Sequence, residues 1–304
     1  MIGQIKSLIF QIGMRLKFIS TNLKALFNMK LFVTGGTGFI GSHFINYAHK
    51  AGHKVVALKR ANSMPRVKLD KEPIWIEGQL DDEFCDQIDG CDILIHLAAH
   101  SPNPPYDSLE TCLYWNLNAS LKLFNQAHRA GISNFLVAGS CFEYGKSGER
   151  YEYIPVNAPL EPTMTYPISK AAASVAFSGW AIDKNVNLQI LRIFQVFGEG
   201  EPHSRLWPSL KKSAMSGSDF AMTKGEQVRD FIYVKDVAKS FVSALKFENI
   251  LPGNPIIQNI GTGCPQTVLE FSEYWWKKWR ARGDLLVGHK QYRDNEVMRY
   301  VPQI

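Results

Sequence analysis

Short apolar runs alternate along most of the chain with segments of helical periodicity. Residues 30–33, 53–58 and 134–138 form runs of the length and composition typical of buried parallel strands. The segment 39–50, between the first two runs, has the pattern of a helix. Because this alternation continues from residue 30 to about residue 247, it predicts an α/β fold, a Rossmann-type doubly wound parallel sheet.

Two later segments break the alternation. Residues 197–228 and 262–304 contain Pro202, Pro208 and a dense aromatic stretch at 274–279. We assign both segments to a smaller substrate-binding lobe, and the Rossmann domain to residues 29–196, completed by 229–261. The aromatic stretch predicts a helix packed on the lobe rather than a surface that stacks bases.

Residues 1–28 precede the alternating pattern and have a character of their own. Their apolar residues recur at steps of four and three, which predicts a helix with one apolar stripe, and they carry four cationic residues and no acidic one. Two interpretations remain open: a basic amphipathic helix that lies on an anionic membrane surface, or translation from a start codon upstream of Met29. No apolar run reaches the roughly 18 residues that a membrane-spanning helix needs.

Composition narrows the class of protein further. The chain has 304 residues, of which 45% are hydrophobic, enough for one large or two linked domains. A net charge of +6 suits anionic nucleotides and gives no reason to expect nucleic acid as a partner. The five cysteines lack paired metal-ligand spacing, so we expect no metal and a reducing, cytoplasmic location.

Three side chains of a reactive or metal-binding type are expected to have structural roles. Cys141 is expected to be a packed small side chain, with a reactive thiol as the alternative. His96 and His100 are four residues apart, but the strand end and the Ser-Pro pair that follows do not suit a helical zinc site. We therefore expect both to be structural histidines.

A glycine-rich string follows the first predicted strand and leads into the first predicted helix. In Gly35-x-x-Gly38-x-x-Gly41, the first glycine permits a tight turn, the second lets the backbone approach phosphates, and the third lets helix and strand pack closely. The N–H groups at the start of the helix would then bind a pyrophosphate. The predicted cofactor-binding residues of this string are Gly35, Thr37, Gly38, Phe39, Ile40 and Gly41.

The second predicted strand ends at two cations, Lys59 and Arg60. A dinucleotide fold usually places here an acidic residue that accepts the 2′-hydroxyl of NAD. Two cations would instead bind a 2′-phosphate through charge-assisted hydrogen bonds. The sequence therefore predicts NADP(H) as the preferred cofactor, with NAD(H) as the alternative and a solvated surface pair as the structural interpretation.

Tyr166 and Lys170 are four residues apart, so on a helix they share one face. Pro167 between them suits a first helical turn. A free tyrosine has a pKa near 10, and we expect the ammonium of Lys170 to lower that pKa. Ser140 follows the strand 134–138 and would lie at the carboxyl end of the sheet, where ligands of such folds bind.

With these motifs in place, the chain resembles the extended short-chain dehydrogenase/reductase family, in particular its nucleotide-sugar epimerases, dehydratases and reductases. The motifs are TGGTGFIG at 34–41, HLAA at 96–99, Asn116, GS at 139–140, YPISK at 166–170, LRIF at 191–194, RDFIYV at 229–234 and IGTG at 260–263. The resemblance implies catalytic roles for Ser140, Tyr166 and Lys170, and a nucleotide-diphosphate sugar as substrate.

The same resemblance implies further contacts. Those to the cofactor would come from Gln79, Leu80, Leu97, Ala98, Ala99, Asn116 and Phe194, in addition to Tyr166 and Lys170. Those to the substrate would come from Ser140, Gln195 and Arg229, the last on the diphosphate. Gln79 and Gln195 depart from the acid and the asparagine that many relatives carry. His203 and Arg205, in the predicted lobe, are candidates for phosphate or sugar hydroxyls, with surface placement as the alternative.

The residues after Ser140 bear on the reaction. Dehydratases of the family resemble one another in an Asp-Glu pair there, whereas this chain has Cys141 and Phe142. This disfavours a 4,6-dehydratase. The segments 223–231 and 293–298 look most like those of reductases that finish deoxy- and dideoxyhexoses on nucleotide carriers. With the cations at 59–60, this resemblance implies a 4-ketoreductase of an NDP-4-keto-6-deoxyhexose, with a 4-epimerase as runner-up and a non-catalytic NADP-binding module as the alternative of another class.

Family resemblance also bears on assembly and on the chain end. Helices near 107–130 and 166–184 would pair with a second subunit, as they do in relatives, which predicts a homodimer. Relatives usually continue beyond the region of residues 299–304, so a fragment or trimmed terminus is expected.

Overall fold

The computed structural model describes residues 28–304, so the interpretations of the first 27 residues lie outside the described part of the chain. Its strands are β1 (Lys30–Thr34), β2 (Lys54–Lys59), β3 (Ile74–Glu77), β4 (Ile93–His96), β5 (Asn134–Ser140), β6 (Asn187–Ile193), β7 (Gln195–Phe197), β8 (Phe220–Ala221), β9 (Val228–Tyr233), β10 (Ile256–Ile260), β11 (Pro265–Thr267), β12 (Leu285–Leu286) and β13 (Arg299–Tyr300).

Its α-helices are α1 (Phe39–Lys50), α2 (Cys85–Ile88), α3 (Leu109–Leu113), α4 (Ser120–Arg129), α5 (Thr165–Lys184), α6 (Leu206–Ser216), α7 (Val234–Ala244) and α8 (Val268–Lys278). A π-helical turn (Tyr114–Ala119) joins α3 to α4, and two 3-10 turns (Cys141–Tyr144 and Lys146–Arg150) follow β5.

Seven of the strands form one parallel sheet in the spatial order β10-β6-β5-β4-β1-β2-β3. From β1 the chain first builds outward through β2 and β3, then returns to place β4 on the other side of β1. The helices after β1 and β4 therefore diverge and leave a crevice at the carboxyl edge of the sheet. This is the doubly wound α/β architecture that the alternating pattern predicts, and the prediction is confirmed.

The sheet separates two apolar cores, because successive strand residues point to opposite faces. On β1, Phe32 packs with the first core, which α4 and α5 cover with Phe124, Phe177 and Trp180. Leu31 and Val33 pack with the second core, which α1 and α7 cover. The inner strands β1, β2, β4, β5 and β6 are largely buried on both sides, which explains their nearly continuous apolar composition.

A smaller sheet lies beside the large one. Its central strand is β9, which pairs with β7, β11 and β13, while β8 and β12 form a short separate ribbon. The predicted boundaries assign residues 229–261 to the Rossmann domain. In the structure, α7 and β10 do complete the large sheet and its core, but β9 lies in the small sheet. The assignment of the lobe to substrate binding remains a prediction.

The aromatic stretch at 274–279 lies largely on α8, as expected, and packs within the lobe. Trp275 contacts Trp207 of α6 and Phe197 of β7, with ring centroids 5.6 and 5.8 Å apart. Helix α8 begins with a capping box, in which Thr267 Oγ1 accepts from the N–H of Glu270 and the Glu270 carboxylate accepts from the N–H of Thr267. None of the helices in the described chain is long and apolar enough to cross a membrane.

Replacing Phe124 tests the first core. The ring is fully buried, and its centroid lies 4.7 Å from that of Phe177 and 5.5 Å from that of Trp180. We expect Phe124→Ala to lower the free energy of unfolding by about 3–5 kcal/mol, because it removes buried surface and leaves a cavity. Urea unfolding followed by circular dichroism measures this loss. Met215→Ala, at a side chain that is 68% exposed, is the control and should change it by less than about 0.5 kcal/mol.

Candidate active site

A cleft of about 600 Å³ lies at the carboxyl edge of the large sheet, where the chain segments that follow β1 and β4 diverge. It runs from the ends of β2 and β3, past the glycine string, to β5, α5 and the segment around Arg205. The predicted site residues that line it are Gly35, Thr37, Gly38, Phe39, Ile40, Gly41, Lys59, Arg60, Gln79, Leu80, Leu97, Ala98, Ala99, Ser140, Tyr166, Lys170, Phe194, Gln195 and Arg205. The fold thus gathers most of the predicted site along one cleft.

Three predicted residues do not line this cleft. His203 is exposed at the surface. Arg229, on β9, is buried and donates to the carboxylate of Glu296 (2.7 Å) and to the carbonyl of Val297 (2.7 Å). Asn116 is buried one layer behind the lining. Their roles toward cofactor and substrate remain predictions.

Asn116 joins two segments that shape the cleft. Its side chain accepts from the N–H of His100 (2.7 Å), donates to the carbonyl of His100 (3.2 Å) and donates to Ser169 Oγ (2.9 Å). The loop after β4 is therefore tied to α5 one turn after Tyr166. The π-helical turn that contains Asn116 is the local backbone feature that places its amide there.

The glycine string has the geometry of a phosphate cradle. The N–H of Gly38 donates to the carbonyl of Gly35 (2.9 Å), which closes the turn. A Cβ atom on Gly35, whose φ is +71°, would lie 2.5 Å from the N atom of Ala98, and one on Gly41 would lie 2.0 Å from the Gly35 carbonyl oxygen. Helix α1 then begins at Phe39 with its N-terminus at the cleft. These features fit the pyrophosphate of a nicotinamide dinucleotide.

Three cations lie at the other end of this cradle. Lys59 and Arg60 line the cleft as expected, and Arg66, which the sequence reasoning missed, joins them. The N–H of Arg66 donates to the carbonyl of Thr37 (3.2 Å), so the segment after β2 returns to the glycine string. Nothing in the periodicity of residues 60–70 indicates this return, because the segment forms neither helix nor strand.

An acidic residue does lie near these cations, although it comes from the next strand. Lys59 Nζ lies 3.0 Å from Glu77 Oε1, because β2 and β3 pair in a register that places the two residues side by side. Sequence reasoning found no acid at the end of β2, which is true of that strand alone. The Glu77 carboxylate partly neutralises Lys59 and is 59% exposed.

Tyr166, Lys170 and Ser140 converge on the cleft from two elements. Tyr166 and Lys170 are on the first turns of α5, with Pro167 in the first turn as predicted, and Ser140 ends β5. Helix α5 packs against the 3-10 turn that follows Ser140. Lys170 is buried, and its ammonium donates to the carbonyl of Ala138 (2.8 Å) on β5. This bond fixes the helix against the strand that carries the serine.

Burial raises the pKa of Tyr166, and the nearby Tyr106, Glu143 and Cys141 raise it further, while Arg205 opposes them. The ring of Tyr106 lies 5.6 Å from that of Tyr166, centroid to centroid. The expectation that Lys170 lowers this pKa is wrong for the described protein, because desolvation dominates and the ammonium is bound to Ala138. Burial also lowers the pKa of Lys170. Tyr166 therefore holds its proton at neutral pH.

The two histidines behave differently. His96 is buried as a structural residue, as predicted: Nδ1 lies 2.8 Å from Thr34 Oγ1 and Nε2 lies 3.1 Å from Ser120 Oγ. His100 lines the cleft, and its Nε2 lies 2.8 Å from Asp107 Oδ2. The acidic partner was missed because it stands on the loop before α3 rather than beside the histidine.

Cys141 lines the cleft but is 2% exposed. Burial raises the pKa of its thiol to about 12, so the sulfur is protonated at neutral pH. This confirms a packed side chain and is opposite to what a nucleophilic thiolate requires.

The described lining of the cleft contains positively charged side chains but no carboxylates. Its lining includes the cations Lys59, Arg60, Arg66, Lys170 and Arg205 and, among the residues that the structure describes, no aspartate or glutamate. Such a lining attracts phosphorylated ligands. It also leaves a general acid or base to Tyr166, His100 or the substrate itself.

Comparison with known proteins agrees with this geometry. The model of the NAD dependent epimerase/dehydratase family matches residues 31–261. The chain is 29% identical to a UDP-glucose 4-epimerase of Neisseria meningitidis serogroup C, over 79% of this chain and 80% of that protein. It is 25% identical to a CDP-abequose synthase of Salmonella muenchen, over 89% of this chain and 88% of that protein.

The fold is also that of a solved structure, the UDP-N-acetylglucosamine 4-epimerase from Methanobrevibacter ruminantium M1 in complex with UDP-N-acetylmuramic acid. The TM-score is 0.82 with 22% sequence identity, and the superposition covers 91% of this chain and 90% of the other. At this identity the likeness concerns the fold alone.

His96 makes stability depend on pH. Burial lowers its pKa from an ordinary value of 6.5 to about 3, so between these values the unfolded chain binds a proton that the folded chain does not. Stability is therefore lost as pH falls from 6.5 toward 3, by about 1.4 kcal/mol per pH unit for this group. Urea unfolding at pH 7, 6 and 5 should give a shallower pH slope for His96→Gln than for the unaltered protein. Parallel slopes would contradict the assignment.

Proposed function

The chain belongs to the NAD dependent epimerase/dehydratase family, and from that premise we propose that it is an NADP(H)-dependent reductase of the C4 ketone of an NDP-4-keto-6-deoxyhexose. The observation that carries the proposal is the cleft itself. A protonated tyrosine, a lysine and a serine line it beside the phosphate cradle, and the Lys and Arg side chains of its described lining face no aspartate or glutamate of that lining.

The cofactor would lie along the glycine string, with its 2′-phosphate at Lys59, Arg60 and Arg66. A bound nicotinamide supplies the hydride for the carbonyl carbon. Lys170, on the inner side of the same cleft, would hold the nicotinamide ribose. The close contacts of Gly35 and Gly41 support this placement, since a side chain at either position would collide with backbone atoms and displace the glycine turn that would present its N–H groups to the phosphates.

Tyr166 would donate its phenolic proton to the carbonyl oxygen of the substrate. Its raised pKa keeps that proton in place until negative charge develops on the oxygen. Ser140 Oγ accepts from the N–H of Phe142 (3.2 Å), which leaves the serine O–H as a donor toward the same carbonyl oxygen.

Dehydration of the sugar is not supported. Elimination of water needs a base and an acid beside the tyrosine, and the two positions after Ser140 are Cys141 and Phe142. The thiol has a pKa of about 12 and the phenyl ring does not titrate. The absence of carboxylates from the described lining supports the same conclusion.

A 4-epimerase is the second candidate, favoured by the similarity to UDP-glucose 4-epimerases. An epimerase must first remove a proton from the substrate hydroxyl, so its tyrosine has to act as a base before it acts as an acid. Tyr166 is protonated in the described structure, which is the form from which a reduction starts. The cation group at the adenosine end also supports NADPH, which a reductase consumes and an epimerase does not.

Substrate contacts and assembly are proposed on less direct grounds. Arg205 and Gln195 line the cleft and would meet the diphosphate and the sugar, while Arg229 and His203 would require a change of partner or position to do so. A homodimer through α3, α4 and α5 is supported by Val175 and Ile182 of α5, which are 65% and 58% exposed. We place the enzyme in the cytoplasm, where nucleotide sugars and NADPH are available.

The proposed chemistry is tested with a panel of NDP-4-keto-6-deoxyhexoses and either NADPH or NADH. We expect stoichiometric oxidation of NADPH and a 4-hydroxy product, followed by cofactor absorbance and by NMR of the sugar. Tyr166→Phe should lower kcat by roughly 100- to 10,000-fold, because the proton donor is lost, and leave the Kd for NADPH within about threefold. Interconversion of UDP-glucose and UDP-galactose without net NADPH consumption would establish the epimerase instead. Unchanged turnover in Tyr166→Phe would exclude this tyrosine as proton donor.

The cation group is tested by cofactor binding alone. We expect Arg66→Ala and Lys59→Ala each to weaken NADPH binding by roughly tenfold, since each removes a charge-assisted hydrogen bond to the 2′-phosphate, with little effect on NADH. Fluorescence titration measures both dissociation constants. Lys239→Ala, at an exposed lysine on α7, is the matched control. An equal loss of affinity for NADPH and NADH would show that these side chains do not recognise the 2′-phosphate.

A further inference from the structure

A buried ion pair lies directly beneath Ser140. Glu143, in the 3-10 turn after β5, is fully buried, and Arg192 of β6 is 3% exposed. Arg192 Nε donates to Glu143 Oε2 (2.8 Å), and the N–H of Ser140 donates to Glu143 Oε1 (2.8 Å). One carboxylate thus holds the backbone of the serine with one oxygen and the guanidinium with the other.

Arg192 is in turn fixed from its far side. Its Nη1 donates to Tyr144 Oη (3.0 Å) and to the carbonyl of Val156 (3.0 Å), and its guanidinium carbon lies 4.7 Å from the centre of the Tyr144 ring. Tyr144 Oη donates to Asn259 Oδ1 (2.7 Å). Asn259 is the partner of Arg192 in the pairing of β10 with β6, so the network follows one row of the sheet.

The row ends at Gly139, the partner of Arg192 on β5. A Cβ atom there would lie 3.0 Å from both Arg192 Cγ and Glu143 Oε1. The glycine immediately before the serine therefore leaves room for the ion pair. The strand end, the turn and the neighbouring strand are shaped around this carboxylate.

Stability is a weak explanation for this arrangement. A buried ion pair loses its hydration, and well-packed apolar side chains of similar volume often stabilise a fold equally well. The turn capped by Glu143 is a single four-residue 3-10 turn, so there is no long helix for the cap to stabilise. The same capping box at Thr267 and Glu270 begins the 11-residue helix α8, with Glu270 at the surface.

We propose that Glu143 is a positioning residue for Ser140: its carboxylate, oriented by Arg192, holds the serine where its hydroxyl meets the substrate carbonyl. This inference rests on the proposed reduction. The backbone of Ser140 is fixed by Glu143, and its Oγ is fixed by the N–H of Phe142 in the same turn. Because the backbone and the Oγ of Ser140 are both held, the hydroxyl loses little conformational entropy when the substrate binds.

A double-mutant cycle tests the coupling, with a dTDP-4-keto-6-deoxyhexose and NADPH as probes. We expect Glu143→Gln to lower kcat by roughly 10- to 100-fold, with KM and the Kd for NADPH within about threefold, because the serine is displaced while the binding surfaces remain. In a Ser140→Ala background the same change should alter kcat by less than about twofold. Glu270→Gln, in the exposed capping box, is the control and should leave kcat unchanged. Independent, multiplicative effects of the two changes would overturn the proposal.

A second variant separates positioning from stability. The double replacement Glu143→Val with Arg192→Leu removes both charges and fills their place with apolar side chains. We therefore expect a Tm close to that of the unaltered protein and a kcat as low as that of Glu143→Gln. Recovery of both would mean that the pair is structural only, and would overturn the proposal.

If the unaltered enzyme reduces no substrate of the panel, the proposed function fails, and amide hydrogen exchange at Ser140 decides the inference separately. Faster exchange at this amide in the Tm-restored double variant supports positioning by Glu143, and equal protection contradicts it.

Discussion

The structure depends on one close approach of main chain to main chain. The glycine turn after β1 lies so near the backbone after β4 that Gly35 has no room for a methyl group, and Gly41 has none because it packs against Gly35 itself. This contact brings the start of α1 to the point where the sheet changes direction. Everything that lines the cleft is arranged relative to that point, since β2 carries the cations on one side and β5 the serine on the other.

From this constraint the proposed site divides into a part that would bind phosphates and a part that would move a proton. The first is built from backbone N–H groups and cations at the ends of β1 and β2. The second is built from buried side chains on β5 and α5, where low polarity holds Tyr166 in its protonated form. Water is largely excluded from the second part and not from the first, which suits ligands that are bound by their charged ends and react at a neutral carbonyl.

Features of the site that are set by residues close to one another in the chain can be predicted from the sequence. The glycine spacing, the four-residue separation of Tyr166 and Lys170, and the alternation that predicts the sheet all depend on neighbours within a few turns. The features that the sequence did not reveal are set by strand register and by loops: Lys59 meets Glu77 across β2 and β3, and Glu143 meets Arg192 across β5 and β6. The pKa of Tyr166 was misjudged for the same reason, because burial is a property of the whole fold.

The pair of Lys59 and Glu77 has a consequence for how a cofactor is chosen. A phosphate that arrives at this lysine competes with a carboxylate already bound to it, so selectivity reflects an exchange of anions rather than the mere presence of positive charge. Both side chains reach solvent, so salt would weaken the ion pair of Lys59 with Glu77 and a contact of Lys59 with phosphate alike. If Lys59 contacts the cofactor as proposed, cofactor choice would be tuned from the neighbouring strand, by a side chain that need not touch the dinucleotide.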